Sequence, residues 1–383
     1  MLIYLTIYIP FIASAYFDFR TDVSINRKRR MMMFFVIIFT LFRGLRWNVG
    51  TDWDQFYEVY MHSGFGNIFT YSRGNDDRVM DFGYMFINAV FHQVGFSYTI
   101  FLLVTSLIIQ LCFYHFSLKQ SRYPILTMIM LMFVGMPFPV RQSISYAIAI
   151  WGLSFLMDKK FIKFVIVSLI ATSIHKGSAI ILPVLILPFI FERIRIKWYY
   201  YVLIYASSYL VASVAGDYIT LIILGMSSMS EDASAYAEGY SQVVSTSVRE
   251  GNETTNSILS GFSYAIFMVF LLYIREKYRK KCEDSIKGFE TMFFLYVIAG
   301  SIENLVRQSD STGITEVLQR VTTTVDMFPL IFPLICTVFI MRKTKNAFIP
   351  YVFFICYAGY KFWKQIPGSV YSDLFIPYQT ILF

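Results

Sequence analysis

Apolar runs long enough to enter a membrane recur along the whole chain, and this recurrence limits the fold more than any other feature. A membrane-spanning helix needs about 20 mostly apolar residues, or fewer where its end lies in a protected cavity. Only 15% of the 383 residues are charged, which is too few to cover the outside of a soluble protein of this size. The runs lie at 1–17, 31–43, 97–117, 124–138, 142–157, 161–174, 177–191, 198–215, 258–275, 289–307, 321–341 and 347–362. We therefore predict an all-α, polytopic integral membrane protein with about 12 transmembrane helices.

Every second linker between these runs is basic, and together the basic linkers hold most of the 33 lysines and arginines. They contain Arg20 with Arg27–Arg30, Lys119 with Arg122, Lys159 with Lys160 and Lys163, Arg193 with Arg195 and Lys197, Arg275–Lys287, and Arg342 with Lys343 and Lys345. The positive-inside rule places such linkers in the cytoplasm, so both termini and the other linkers face outward. The pattern predicts one membrane domain over 1–383, with long outer loops at 44–96, 216–257 and 363–383.

The segment Asp81–Gly95 is apolar, but a crossing there would break the alternation of charge. Its apolar residues recur at helical spacing, with Asn88 and His92 outside that stripe. The stripe consists of Phe82, Met85, Phe86, Ala89 and Val90. This pattern predicts an amphipathic helix that lies on the outer surface or re-enters the membrane from it.

Basic side chains on the outer side are exceptions to the charge pattern, so each one calls for a partner. Three predicted spans descend from the outer side and begin with Arg141, Lys176 or Arg320. Helix N-termini carry free N–H groups and the positive end of the dipole, so their convergence would form a phosphate or diphosphate site. Further candidates for substrate binding are Arg43, Arg46, Gln142 and Arg307. Alternatively, such side chains extend to lipid headgroups or pair with nearby Glu303 and Glu316.

His175, Asp52 and Asp54 are candidate proton acceptors in the outer regions. A lone histidine is also a common packing group, and closely spaced aspartates are common in turns. Asp52-Trp-Asp54 resembles the metal-binding motif of nucleotide-sugar transferases, but it lies on the side away from the cytoplasm, where those sugars occur. Aromatic residues beside these acids, among them Tyr57, would suit the stacking of sugar rings. No spacing of cysteine or histidine suggests a metal site, and we expect no cofactor.

Several short motifs, in their order along the chain, resemble the EpsG-like, Wzy-type polysaccharide polymerases. The motifs are Arg43-Gly-Leu-Arg46 through Val49-Gly50-Thr51-Asp52-Trp53-Asp54-Gln55-Phe56-Tyr57, then Asp81-Phe-Gly83-Tyr84, Val140-Arg141-Gln142, Ser173-Ile-His175-Lys-Gly-Ser178, Gln319-Arg320 and Pro377-Tyr378-Gln379. The chain departs from the family pattern at Asp81, where glutamate is expected, and after Arg320, where fewer aromatic residues follow. The resemblance extends over nearly the whole length.

This resemblance implies an enzyme at the outer face of the bacterial inner membrane. Such an enzyme joins polyprenyl-diphosphate-linked oligosaccharide repeat units into O-antigen, capsule or exopolysaccharide, with the lipid diphosphate as leaving group. We assign His175, Asp52 and Arg141 to catalysis. We assign substrate binding to Arg43, Arg46, Asp54, Tyr57, Asp81, Gln142, Lys176, Arg307 and Arg320. The expected partners are the lipid-linked glycan, membrane lipid, a chain-length regulator and a flippase, with no nucleic acid.

Two other functions share these features. An O-antigen ligase would transfer finished glycan to a lipid core and would use the same outer basic residues. A transporter or flippase of lipid-linked sugars would need charged residues near the bilayer midplane and broken helices related by a repeat. The charges gather at the outer edge and no repeat is visible, so a transporter is the weaker alternative.

Overall fold

A computed structural model of the protein describes residues 1–50, 52–72, 79–133, 138, 140–211, 253–308, 322–369 and 372–382. Most of the predicted outer loop 216–257 lies outside these residues, as does Arg320. The described residues form helices and no named strand, which confirms the all-α class. The helices are α1 (Leu2–Ala13), α2 (Tyr16–Phe19), α3 (Ile25–Gly44), α4 (Trp53–Met61), α5 (Phe82–Gln93), α6 (Tyr98–Gln120), α7 (Pro124–Met132), α8 (Arg141–Met157), α9 (Phe161–Ile174), a 3₁₀ helix (Lys176–Ile186), α10 (Leu187–Arg193), α11 (198–211), α12 (Glu253–Ser285), α13 (Phe289–Gln308), α14 (Phe328–Leu334) with a π-helical continuation (Ile335–Ile340), α15 (Met341–Thr344), α16 (Phe348–Gln365) and α17 (Ser372–Phe375).

Two helical stretches within the described part of the chain are long and apolar enough to cross a membrane, Leu2–Phe19 and Tyr98–Gln120. Phe161–Ile174 and Lys176–Phe191 are apolar but shorter. The number of twelve spans therefore stays a prediction. Most predicted runs nevertheless coincide with a helix within a few residues, because long apolar runs bury their side chains best as helices with satisfied backbone groups.

Local chemistry explains two differences from the predicted runs. Helix α3 begins at Ile25, six residues before the predicted run, because the Ser24 hydroxyl accepts a hydrogen bond from the Arg27 N–H at 3.4 Å and caps the helix. The run at 177–191 starts as a 3₁₀ helix instead of an α-helix. Pro183 lies inside it and has no N–H to donate, which weakens regular α-helical bonding there.

The predicted amphipathic segment forms α5, and its apolar stripe is divided: Met85 and Ala89 are buried, whereas Phe82 and Phe86 are exposed. Asn88 and Tyr84, which lie outside the stripe, are fully buried as well. Asn88 tolerates burial because its side-chain amide donates to the Tyr84 carbonyl at 2.7 Å. The close packing of Gly83 against Ser173 of α9 thus buries side chains on α5 beyond those that the periodicity of apolar residues selects.

Basic linkers that are far apart in sequence meet at one end of the bundle, which we call the basic end. Asp158, after α8, forms ion pairs with Lys119 in the last turn of α6 and with Lys287 before α13. The Arg122 N–H donates to the Ser285 carbonyl at 2.9 Å. Three further contacts connect the other basic linkers to this end. The Leu126 N–H donates to Asp18 Oδ2 at 2.9 Å, and Arg275 Nη2 donates to the Ile196 carbonyl at 2.9 Å. The Arg342 guanidinium lies over the Tyr278 ring at 5.0 Å. The basic linkers that alternate along the chain thus lie together at one end of the bundle.

Candidate functional site

A carboxylate lies between a guanidinium and an imidazole at the opposite end of the bundle. Asp81 Oδ2 is 3.1 Å from Arg141 Nη1 and 3.5 Å from His175 Nδ1. The three side chains are 8%, 15% and 17% exposed, so the cluster is largely shielded from its surroundings. We call this end of the bundle the site end. Helix α8 links it to the basic end, since 17 residues of α-helix span about 25 Å between Arg141 and Asp158.

Each member of the cluster occupies the end of a helix. Asp81 immediately precedes α5, and its carboxylate makes no capping hydrogen bond, which leaves it available to Arg141. Arg141 is the first residue of α8, and His175 directly follows α9. Arg141 also contacts the Met80 sulfur at 3.7 Å. A negative group near Arg141 would therefore meet both the guanidinium and the free N–H groups of α8.

Close contact between α5 and α9 sets the distance between Asp81 and His175. A Cβ atom added at Gly83 would lie 2.3 Å from the Ser173 hydroxyl and 2.7 Å from the Ser173 carbonyl carbon. Only a glycine permits this approach. Gly83 and Ser173 each lie two residues from a member of the cluster, so the contact holds both helix ends in place.

A pair of serines holds the corner that carries His175. The Ser145 hydroxyl, one turn after Arg141 in α8, donates to the Ala171 carbonyl at 2.7 Å. It also lies 2.5 Å from the Ser178 hydroxyl, and the Ser178 N–H donates to the His175 carbonyl at 3.0 Å. Ser145 lies outside all of the motifs that selected the candidate residues. A buried serine one turn from a candidate arginine is a weak signal, because serines in membrane helices usually bond within their own helix.

Arg43 and Arg46 border a second polar space next to the start of α8. They line a small cavity of about 20 Å³ with Thr105, Ser106 and Val140. This volume holds about one water molecule. The cavity is therefore too small for a diphosphate as it stands, and the predicted substrate-binding role of both arginines stays a prediction.

Arg46 also supports the segment that leads into α8. Its side chain is 3% exposed, donates from Nη1 to the Phe138 carbonyl at 2.8 Å, and lies over the Phe138 ring at 4.8 Å. Arg46 pairs with Thr380 in an isolated bridge, and the neighbouring Trp47 N–H donates to the Gln379 carbonyl at 3.0 Å. Removal from water lowers the pKa of the Arg46 guanidinium to about 10. Arg46 therefore connects the C-terminal segment with the residues just before Arg141.

Aromatic side chains form a cluster on α4 and α6. Tyr57 stacks on Trp53 with ring centroids 5.1 Å apart, and Trp47 meets Trp53 edge-on at 4.8 Å. Asp52 precedes α4, and Asp54 is exposed in its first turn. Within the described residues, neither carboxylate pairs with Arg141 or His175. The structure therefore groups Asp52, Asp54 and Tyr57 beside the aromatic cluster, separate from Asp81.

The remaining predicted residues divide between described and undescribed positions. Gln142 is half-buried in the first turn of α8, and Lys176 is exposed at the start of the 3₁₀ helix. Arg307 lies in the last turns of α13, with its side chain outside the description, and Arg320 lies outside the described residues. Of the three helix starts that were predicted to converge, the structure therefore describes only those at Arg141 and Lys176.

Asp326 is an acid that lies outside all of the predicted site motifs. It lies in the turn before α14, where its Oδ1 accepts a hydrogen bond from the Phe328 N–H at 2.9 Å. The sequence does contain a signal for Asp326, because an acid within a predicted apolar run is rare and often functional. Because α14 and its continuation end near Arg342 at the basic end, Asp326 belongs to the site end.

The described residues contain no group of three His, Cys, Asp or Glu side chains that could hold a metal ion. The arrangement can bind an anion at Arg141 and transfer a proton at His175.

Comparison with known proteins adds one match. The model of the EpsG family matches residues 29–380. No curated protein and no solved structure matches the chain. The matched stretch includes Asp81, Arg141 and His175 as well as Arg43 and Arg46.

Proposed function

Since the chain belongs to the EpsG family, the family of Wzy-like exopolysaccharide polymerases, we propose that it joins oligosaccharide repeat units carried on a polyprenyl diphosphate. The reaction takes place at the site end, and the lipid diphosphate is the leaving group. The observation that carries this proposal is the Asp81 carboxylate held between Arg141 and His175. It places an anion-binding group and a proton acceptor around one carboxylate.

The proposed step is a displacement at the anomeric carbon of the growing chain. A hydroxyl of the incoming repeat unit attacks this carbon, a new C–O glycosidic bond forms, and the bond between the anomeric carbon and the diphosphate oxygen breaks. The electron pair of that bond leaves with the diphosphate. The proton of the attacking hydroxyl passes to the His175 imidazole.

Arg141 and the start of α8 stabilise the leaving diphosphate. Negative charge develops on the bridging oxygen in the transition state, and a guanidinium with helix N–H groups already in place lowers its energy. Exposed Lys176, one residue after His175, adds a second cation at the same corner. Asp81 acts as a positioning residue, because it holds the guanidinium and the imidazole without itself touching the reacting atoms.

The acceptor sugar lies on the aromatic cluster of Trp47, Trp53 and Tyr57. Faces of aromatic rings pack on the C–H faces of sugars, and Asp52 and Asp54 supply acceptors for sugar hydroxyls. Arg46 holds the segment before Arg141. Arg43 and Arg46 reach the diphosphate only if the cavity that both line widens.

The orientation in the membrane follows from the charge of the two ends. The basic end faces the cytoplasm by the positive-inside rule, so the site end faces the outside of the bacterial inner membrane. The substrate would reach this face through a flippase, and a chain-length regulator would act on the product.

The test uses full-length protein in nanodiscs with a synthetic polyprenyl-diphosphate-linked repeat unit, and the products are separated on a gel. We expect a ladder of increasing chain length without nucleotide sugar. Arg141→Ala and His175→Asn should each lower ladder formation by about 100-fold. Arg29→Ala, an exposed cation at the basic end, should leave it unchanged.

Three results would contradict the proposal. A wild-type ladder in both site variants would show that the reaction does not take place beside Asp81. Transfer of one preformed chain to a separate acceptor, without any ladder, would indicate a ligase. Movement of labelled substrate across the bilayer without new bonds would indicate a transporter.

A further inference from the structure

A cavity lies at the basic end, far from the proposed catalytic site. Its volume is about 660 Å³, and it opens between the linker before α11, the inner end of α12 and the start of α13. Phe191, Ile194 and Ile196 form its apolar wall. A cavity of this size holds a small molecule or the headgroup of a lipid.

The acids around this cavity already have cationic partners. Arg279 Nε donates to Glu283 at 2.7 Å, and Arg279 Nη2 lies 3.2 Å from Glu290. Behind the cavity, Arg275 is 1% exposed and binds the other oxygen of Glu290 at 2.7 Å. These pairs neutralise the two carboxylates that line the cavity.

Two other cations at the cavity have no such partner. Arg195 and Lys280 both line it and are exposed, and no carboxylate of the described residues pairs with either. Their charges are therefore available to an anionic ligand. Two unpaired cations that face one opening can share a single phosphate group.

The residues next to the cavity resemble those found at a membrane–water boundary. Trp198 and Tyr200 are 53% and 50% exposed in the first turn of α11, beside exposed Lys197. Tryptophan and tyrosine prefer the level of lipid headgroups, and basic residues prefer the cytoplasmic side. The cavity thus combines phosphate-binding cations with an apolar wall at headgroup level.

We propose that this cavity binds the phosphate of an anionic membrane lipid, with Arg195 and Lys280 on the phosphate and Ile194 against the first part of the acyl chains. Anionic lipids are attracted to basic pockets between helices on the cytoplasmic side. The apolar wall favours a lipid over a free phosphate, which would gain nothing from Ile194. This site is independent of the proposed polymerase reaction.

The test measures lipid binding to the full-length protein in detergent by native mass spectrometry. Phosphatidylglycerol is the anionic probe and phosphatidylcholine the neutral one. We expect the double variant Arg195→Gln/Lys280→Gln to weaken phosphatidylglycerol binding by about tenfold or more. The matched control Arg29→Gln/Arg30→Gln removes the same charge from exposed positions at the same end and should change binding less than about twofold.

A second variant keeps the charges and fills the cavity. Ile194→Trp should also weaken phosphatidylglycerol binding, and an unchanged melting temperature would show that the fold is intact. Equal losses in the two double variants would overturn the proposal, because binding would then follow net charge alone. Complete competition by millimolar inorganic phosphate would assign the cavity to a soluble phosphate instead, and this outcome too would overturn the lipid site.

Discussion

Asp81 Oδ2 lies 3.1 Å from Arg141 Nη1, and this ion pair joins the start of α5 to the start of α8. The same oxygen is 3.5 Å from His175 Nδ1, so one carboxylate orients two groups that come from different helices. A largely buried ion pair of this kind is costly to break, because the remaining partner is left as a buried charge. The pair therefore behaves as one unit in mutational tests.

Asp81→Asn should lower polymer formation strongly, by about 10- to 100-fold, because the amide no longer holds the Arg141 guanidinium. A double-mutant cycle with Arg141→Gln tests the pairing. The double variant should lose about as much activity as Arg141→Gln alone, since the two side chains act together. Asp373→Asn removes an exposed carboxylate of the C-terminal segment and should have no effect. Losses that multiply in the double variant would show that Asp81 and Arg141 act independently.

Ser145→Ala should destabilise the corner that carries His175. The substitution removes the hydrogen bond to the Ala171 carbonyl and leaves the Ser178 hydroxyl buried without that partner, at a cost of about 1–3 kcal/mol. We expect a lower melting temperature and less polymer. The control is Ser154→Ala in the same helix, whose buried hydroxyl has no hydrogen-bond partner among the described residues. That variant should match the wild type, and equal effects of both substitutions would rule out a specific role for Ser145.

Gly83→Ala should separate α5 from α9. The new methyl group would overlap the backbone of Ser173, and overpacking of this kind costs about 1–3 kcal/mol. Thermal unfolding in detergent and ladder formation should both suffer. Gly359→Ala is the matched substitution, because no atom lies within 4 Å of its added Cβ in α16. Helix propensity predicts a gain of up to about 1 kcal/mol there. A Gly83→Ala variant as stable as Gly359→Ala would contradict the described packing.

The sequence was sufficient for the fold class and for the two-ended distribution of charge. Apolar runs can satisfy their backbone only as helices, and basic linkers alternate along the chain, so neither conclusion needs tertiary contacts. Helix boundaries were less accessible, since caps such as Ser24 and interruptions such as Pro183 shift them by several residues. The motifs around Arg141 and His175 were also sufficient to select candidate residues of the site.

Only the tertiary structure decided which of these candidates lie together. Asp81, Arg141 and His175 meet because Gly83 lets α5 approach α9 and because Ser145 holds the corner after α9. Distances across the bundle depend on such contacts, which periodicity along one helix does not contain. The buried face of α5 likewise depends on tertiary contacts. Helical spacing identified an apolar stripe, yet the side that packs against a neighbour also depends on where Gly83 allows close approach and on the hydrogen bond from the buried Asn88 amide to the Tyr84 carbonyl.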